Sequence, residues 1–180
     1  MPVETRNNPY AEPPSPWVMR HAVKIPAGGR VLDLACGSGR HARWLAAQGF
    51  AVLAVDRDRE ALAGLGTVTG VEAVRLDLEQ GYWPLSGQTF AGIVVCRYLH
   101  RPLLADIAAA LAPGGVLIYE TFMVGQAQFG SPRRPEFLLE SRELLGFAQA
   151  QALEVVDFVE GLVALPRPAM MQSICACRSP

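Results

Sequence analysis

Three carboxylates and two glycines fall at spacings that could hold a ligand containing a nucleoside. In Val31-Leu32-Asp33-Leu34-Ala35-Cys36-Gly37-Ser38-Gly39-Arg40 an apolar run enters a turn of small residues that opens a helix. The first N–H groups of such a helix are free to receive a ligand, and Gly37 and Gly39 let it approach the backbone closely. Asp56 ends the next apolar run, 19 residues after Gly37, where a carboxylate can accept from both hydroxyls of a ribose. Asp77 and Leu78 close a third run. Gly37-Ser38-Gly39-Arg40-His41-Ala42 also satisfies the dinucleotide pattern G-x-G-x-x-G/A. Asp33 argues against a dinucleotide, because it would set negative charge beside a pyrophosphate. It suits a ligand that brings an ammonium and no phosphate.

A second set of polar residues follows the fourth and fifth apolar runs: Tyr98, His100, Arg101, Glu120 and Thr121. His100 could act as a base near neutral pH, or cap the helix that follows. Glu120 could bind a cationic substrate or order a loop. Arg133 and Arg134 could grip an anion or simply face solvent. His41 and His21 read as packing residues. Cys36, Cys96, Cys175 and Cys177 lack the C-x₂-C spacing of a zinc site and read as buried thiols, so no metal is expected. The Tyr-x-x-x-Lys pair of short-chain dehydrogenases is unavailable, since the only lysine is Lys24 and position 20 is Arg20.

The elements that must position these groups alternate. Apolar strands are expected over 30–35, 51–55, 71–76, 90–96 and 116–121, with helices over 38–48, 57–64 and 102–111. Continuous apolar strands separated by helices give a parallel sheet covered on both faces. Right-handed crossovers then gather the strand-to-helix loops on one edge. A helix over 135–151 precedes two last strands, 154–160 and 172–178. Their link, 161–171, is too short for a parallel crossover, so they are expected antiparallel. The fold class is thus α/β: one doubly wound, mostly parallel sheet of about seven strands, the last antiparallel, with helices on both faces. Residues 1–28 form an N-terminal arm and a helix starting at Ser15-Pro16, with Tyr10 and Trp17 either closing as a lid or packing on the sheet. Residues 29–180 form the ligand-binding domain.

With this register the sequence resembles the class I, Rossmann-like S-adenosylmethionine-dependent methyltransferases. Their acidic residue and Gly-x-Gly-x-Gly motif read here as Asp33-Leu34-Ala35-Cys36-Gly37-Ser38-Gly39, with Ala35 in place of the first glycine. That departure is expected to be mild, on the premise that the turn does not need positive φ at position 35. The resemblance continues through Asp56, Leu76-Asp77-Leu78, Phe90–Arg97 and Leu111-Ala112-Pro113-Gly114-Gly115, and covers residues 30 to about 122. It implies S-adenosylmethionine as cofactor, with S-adenosylhomocysteine as product. The loop from Ala35 through Cys36 and Gly37 to Gly39 would pass under the methionine part, supported by Asp33. Asp56 would hold the ribose and Arg57 would lie along the adenine. Asp77 would accept from the adenine amino group with Leu78 beside the ring. Cys96 and Arg97 would flank the sulfonium. Catalytic residues stay unassigned, with Tyr98, His100 and Glu120 as substrate-side candidates. Leu34-Ala35-Cys36-Gly37 and Gly39-Arg40 look like the small tellurite-resistance-type methyltransferases of bacteria.

Composition narrows the acceptor. Within 180 residues, 51% are apolar and 16 basic groups balance 17 acidic ones, for a net charge of -1. That leaves no surplus of cations for non-specific nucleic-acid binding. Strand four ends in Cys96-Arg97-Tyr98-Leu99-His100, which lacks the Asn/Asp-Pro-Pro-aromatic signature of base-amino methyltransferases. A small-molecule acceptor is therefore expected, with RNA modification or a non-catalytic cofactor-binding module as the alternatives. No apolar run spans a membrane and residues 1–14 lack a signal pattern, so a cytoplasmic protein with reduced thiols is expected. The sequence is silent on oligomeric state.

Overall fold

In the computed structural model, residues 12–164 and 166–180 are described. Tyr10 and most of the expected arm lie outside them. Seven strands form one sheet: β1 (Arg30–Leu34), β2 (Ala51–Asp56), β3 (Val71–Arg75), β4 (Phe90–Cys96), β5 (Leu111–Phe122), β6 (Glu154–Val163) and β7 (Ala169–Cys177). Their order is β3-β2-β1-β4-β5-β7-β6. Strands β1 to β5 pair in parallel, while β7 runs antiparallel to both β5 and β6. The chain builds outward from β1 to β3, then returns to lay β4 on the other side of β1. A crevice opens at such a reversal, beyond the carboxyl ends of the strands.

The strand residues divide by parity, as a pleated strand requires. Leu32, Leu34, Leu53, Val55, Ile93 and Val95 pack on one face with Ile107 of α4 (Leu104–Ala109) and Leu144 and Phe147 of α5 (Glu143–Ala150). Val31, Val52, Ala54 and Val94 pack on the other with α1 (Pro16–His21), α2 (Arg40–Ala47) and α3 (Arg59–Leu62) through Trp17, Val18, Leu45 and Leu62. Ser15 caps α1 by accepting from the Trp17 N–H at 3.1 Å, and Pro16 takes the first helical position, where its missing N–H costs nothing.

Three expectations about elements need correction. The helix over 135–151 is a 3-10 turn at Pro135–Phe137 followed by α5 alone. Between them Leu139 pairs with the end of β5: its N–H donates to the Phe122 carbonyl at 3.0 Å, and its carbonyl accepts from the Val124 N–H at 2.9 Å. Arg142 then takes φ 59° just before α5. Strand β5 begins at Leu111, so Pro113-Gly114-Gly115 bulges within a strand, and the register with β4 shifts there. The last two strands are longer than expected and joined by residues 164–168 only. That short turn lies at the same sheet edge as the carboxyl ends of β1 to β5.

Candidate active site

The loop after β1 is built on alternation. Ala35 (φ 53°), Gly37 (φ 54°) and Gly39 (φ 75°) are all left-handed. The premise about Ala35 is therefore wrong: the turn does need positive φ at that position, and an alanine carries it. A Cβ at Gly39 would lie 2.5 Å from the Leu65 side chain, whereas a Cβ at Gly37 would have nothing within 4 Å. Gly37 thus borders open space and is selected by backbone conformation, Gly39 by conformation and packing. The Cys36 N–H continues the ladder to the Val55 carbonyl at 2.9 Å, and the Gly37 N–H donates to Asp56 Oδ2 at 2.7 Å.

Beneath the loop, Asp33 is 1% exposed. Its Oδ2 accepts from the Ala42 N–H at 2.9 Å, in the first turn of α2, where helix N–H groups lack partners. Burial pushes its carboxyl up to about 7, with the Ala42 bond and the Arg40 charge pulling the other way. Asp33 therefore joins the loop to the helix from below rather than facing the crevice.

The crevice is a cleft of about 450 Å³. One half is lined by Ala35, Asp56, Arg57, Asp77 and Leu78. Asp56 Oδ1 also accepts from the Asp58 N–H at 2.9 Å, so its carboxylate is fixed by backbone on two sides. The Asp77 carboxyl is held below the usual range by the Glu79 N–H at 3.0 Å and by Gln80. Arg57 lies 3.9 Å from Glu79. An acidic half with no cluster of cations fits an adenosine diol and amine better than a pyrophosphate.

The other half is walled by Arg97, Tyr98, Thr121, Phe122, Ser131, Pro132 and Phe137. Arg97 takes φ 57° at the end of β4, a strained conformation of the kind found at functional sites. Tyr98 donates to Glu79 Oε1 at 3.5 Å, and burial with the neighbouring carboxylate raises its hydroxyl pKa well above the ordinary value. Cys96 is not among the lining residues. Its Sγ lies between Arg40 Nη2 at 3.5 Å and Glu120 Oε1 at 3.6 Å, and burial pushes the thiol up to about 12. Cys36 is buried, its thiol likewise raised by burial. Gly37 and Gly39 shape the loop without lining the cleft.

The structure separates the substrate-side candidates. Tyr98 and Thr121 face the cleft; His100 and Glu120 are not among its lining residues. Glu120 accepts from Ser15 Oγ at 2.7 Å and Ser173 Oγ at 3.2 Å, ordering the chain that precedes α1. Arg101 binds Glu143 through Nε at 2.6 Å and Nη2 at 2.9 Å, and donates to the carbonyls of Glu136 and Leu138. It ties down the loop that carries Phe137. Arg134 pairs with Glu136.

Sequence reasoning did not single out Phe122 or Phe137 as walls. Of the two readings of Trp17 the structure takes packing on the sheet, through contacts of Glu12, Ser15 and His41 that the sequence did not reveal. His41 is buried and accepts from the Ser15 N–H at 3.1 Å; burial, then the charges of Arg40 and Arg97, bring its pKa down to about 3, so it stays neutral and keeps its acceptor. Trp17 Nε1 donates to the Ile174 carbonyl at 3.2 Å. Glu12 Oε2 lies 2.9 Å from both Arg40 and Arg97. Among the described residues no three His, Cys, Asp or Glu side chains gather to hold a metal, the four cysteines are free, and no helix is long and apolar enough to cross a membrane.

Residues 31–115 match a methyltransferase domain family. The ubiquinone biosynthesis O-methyltransferase of Burkholderia multivorans is 27% identical over 178 aligned positions, covering 83% of this chain and 74% of that protein. Among solved structures, TehB from Haemophilus influenzae superposes with a TM-score of 0.74 at 18% identity, over 89% of this chain. This chain spans only 61% of TehB, and the likeness is one of fold. The 1,6-didemethyltoxoflavin-N1-methyltransferase of Burkholderia thailandensis, solved with bound 1,6-didemethyltoxoflavin and S-adenosylhomocysteine, gives a TM-score of 0.65 at 23% identity, over 91% of this chain and 76% of that one. Sequence match and fold converge: residues 31–115 match a methyltransferase domain, and they are set on the Rossmann-like fold shared by S-adenosylmethionine-dependent methyltransferases.

Proposed function

We propose that this enzyme methylates a small, flat acceptor seated in the half of the cleft above β4 and β5. The observation that carries the reading is the wall of Tyr98, Phe122, Pro132 and Phe137 on a cleft of about 450 Å³, a size and lining typical of small-molecule sites. An RNA substrate calls instead for a basic, open track. The Burkholderia thailandensis relative, which holds the small molecule 1,6-didemethyltoxoflavin, supports the same reading, as does the ubiquinone O-methyltransferase likeness.

S-adenosylmethionine, when bound, supplies an electrophilic methyl on a good leaving group. The chain's own task is to hold an acceptor atom roughly 3 Å from it in a dry site. In this reading Asp56 holds the ribose, Arg57, Asp77 and Leu78 frame the adenine, and the Ala35–Gly39 loop, braced by Asp33, runs under the methionine part. Arg97 stands at the junction of the two halves, with Cys96 behind it, off the cleft. Tyr98 keeps its proton at neutral pH and turns it toward Glu79, so it walls the acceptor with its ring and does not serve as a base. Residues 12–15 and the loop 123–134 close the acceptor half as lids. Four free thiols are in keeping with a reducing cytoplasm.

The test pairs S-adenosylmethionine with phenols, aromatic nitrogen heterocycles, thiols and RNA, and measures S-adenosylhomocysteine released. Turnover is expected with a small aromatic acceptor. Phe137→Ala should then raise its KM about tenfold, the cost of one apolar wall, and leave S-adenosylhomocysteine affinity unchanged. Methylation of RNA alone, falling steeply with salt, would overturn the acceptor assignment. Cofactor binding with no turnover on any class would favour the non-catalytic module.

A further inference from the structure

Three arginines from three separate elements converge on one carboxylate. Arg40 is the first residue of α2, Arg97 follows the end of β4, and Arg167 sits in the turn between β6 and β7. Glu12 Oε2 lies 2.9 Å from Arg40 Nη1 and 2.9 Å from Arg97 Nη1, and its Oε1 lies 3.6 Å from Arg167 Nη2. Among the described residues, Glu12 is the carboxylate partner each of the three has. The three cations hold its carboxyl below the usual range against the opposing effect of burial. Three cations for one anion, two of them in direct contact and the exposed Arg167 at 3.6 Å, exceed what is needed to anchor a chain segment. The anion itself comes from the N-terminal segment, not from the sheet that carries the arginines.

The site's place in the sheet gives its ligand. In the order β3-β2-β1-β4-β5-β7-β6, the arginines span from the end of β1 across β4 to the β6–β7 turn. Asp56 and Asp77 lie beyond β1 on the opposite side. Arg97 also lines the cleft next to Tyr98. Through Arg97 the cluster borders the acceptor half, and Glu12 shows that a carboxylate fits it, with one oxygen shared by two guanidinium groups and the other turned toward the third.

We propose that Arg40, Arg97 and Arg167 form a subsite for the carboxylate of an acidic aromatic acceptor, and that Glu12 is a built-in plug which that carboxylate displaces. The inference rests on the methyltransferase reading with a small acceptor. Displacement frees Glu12, so its release is coupled to acceptor binding by exchange of one carboxylate for another. Arginine is suited to this exchange, since its planar fork accepts either anion without changing its own charge.

The probes are benzoate and its neutral isostere benzamide, titrated with S-adenosylhomocysteine present and followed by ligand-observed NMR. They are applied to the wild-type protein, Glu12→Gln and Arg167→Ala. Benzoate should bind Glu12→Gln about tenfold more tightly than wild type, the equivalent of about 1.4 kcal/mol, and Arg167→Ala more weakly. Benzamide should not distinguish the three proteins. Equal benzoate affinity in all three, or no benzoate binding to any, overturns the proposal. A parallel titration compares S-adenosylhomocysteine with 5′-methylthioadenosine, which lacks the amino-acid carboxylate. If the variants shift the ratio of those two affinities and not the affinity for benzoate, the arginines serve the cofactor and the proposal fails. Failure of S-adenosylhomocysteine to bind the wild-type protein would instead sink the methyltransferase reading on which the proposal rests.

Discussion

Ala35 carries a backbone conformation for which its side chain is unsuited. A left-handed residue with a Cβ costs roughly 1–2 kcal/mol, and Gly recovers that at some cost in chain entropy. Ala35→Gly should therefore stabilise the protein by about 1 kcal/mol, raising Tm by about 2–4 °C in a domain of this size; an unchanged or lower Tm in a thermal melt would contradict the strain. Asp33 makes a second prediction of definite sign. Its folded-state pKa is raised from 3.8 to about 7, so its contribution to stability is complete below about pH 4 and is lost as pH rises through 7. His41 acts oppositely. Its folded pKa is depressed from 6.5 to about 3, so stability is lost as pH falls below 6.5. The two slopes overlap and mask one another in the wild-type protein. Asp33→Asn keeps an oxygen for the Ala42 N–H and removes only the ionisation, so its stability relative to wild type should improve between about pH 4.5 and about pH 7.5. Urea unfolding at the two pH values measures this directly.

At the scale of elements, Arg101 shares the holding of the loop between β5 and α5 with Gln126, on the Ser131 carbonyl, and Gln172, on the Glu140 carbonyl. Arg101 binds Glu143 through two nitrogens and donates to the carbonyls of Glu136 and Leu138. Such an exposed pair contributes at most about 1 kcal/mol to global stability, but it fixes the segment that carries Phe137. Arg101→Met should leave Tm within a few degrees of wild type while speeding proteolysis in residues 131–142 and amide exchange at Leu139. Unchanged protection there would show that the loop holds itself. This loop is also where sequence reasoning failed. Leu138, Leu139, Leu144 and Leu145 have helical spacing, yet the pairing of Leu139 with Phe122 and Val124 outweighs local propensity. Strands β1, β2 and β4 were legible because their apolar runs are nearly continuous, as strands covered on both faces require. The register of Asp33, Gly37, Asp56 and Asp77 followed from those strands. Backbone sign at Ala35 is not written in residue type. Nor are the links of Glu12 to Arg40, 28 residues apart, and of Ser15 to His41, 26 apart, which depend on how α1 docks.

Over the whole molecule, the cleft is divided by charge. Asp56, Asp77 and Glu79 lie toward β2 and β3, and the arginine cluster lies across β4 toward β7, in a chain whose net charge is only -1. Selectivity therefore comes from local fields, since a near-neutral molecule exerts little long-range steering. The doubly wound sheet by itself suits dinucleotides and S-adenosylmethionine alike. What separates them is the sign of charge beneath the ligand's centre. NAD would bring its pyrophosphate onto the loop braced by Asp33 and next to the Asp56 carboxylate, where Arg57 is the cation that lines that half among the described residues and Glu79 already attends it at 3.9 Å. S-adenosylhomocysteine brings an ammonium there instead. At about 100 times its Kd a ligand adds about 2.7 kcal/mol to stability, which for a domain of this size is about 5–10 °C in Tm. S-adenosylhomocysteine should produce that shift and NAD none at the same concentration. Asp33→Asn tests the cause, because neutralising the carboxyl should narrow the gap between the two ligands. A gap unaltered by Asp33→Asn would move the discrimination from charge to the shape of the Ala35–Gly39 loop.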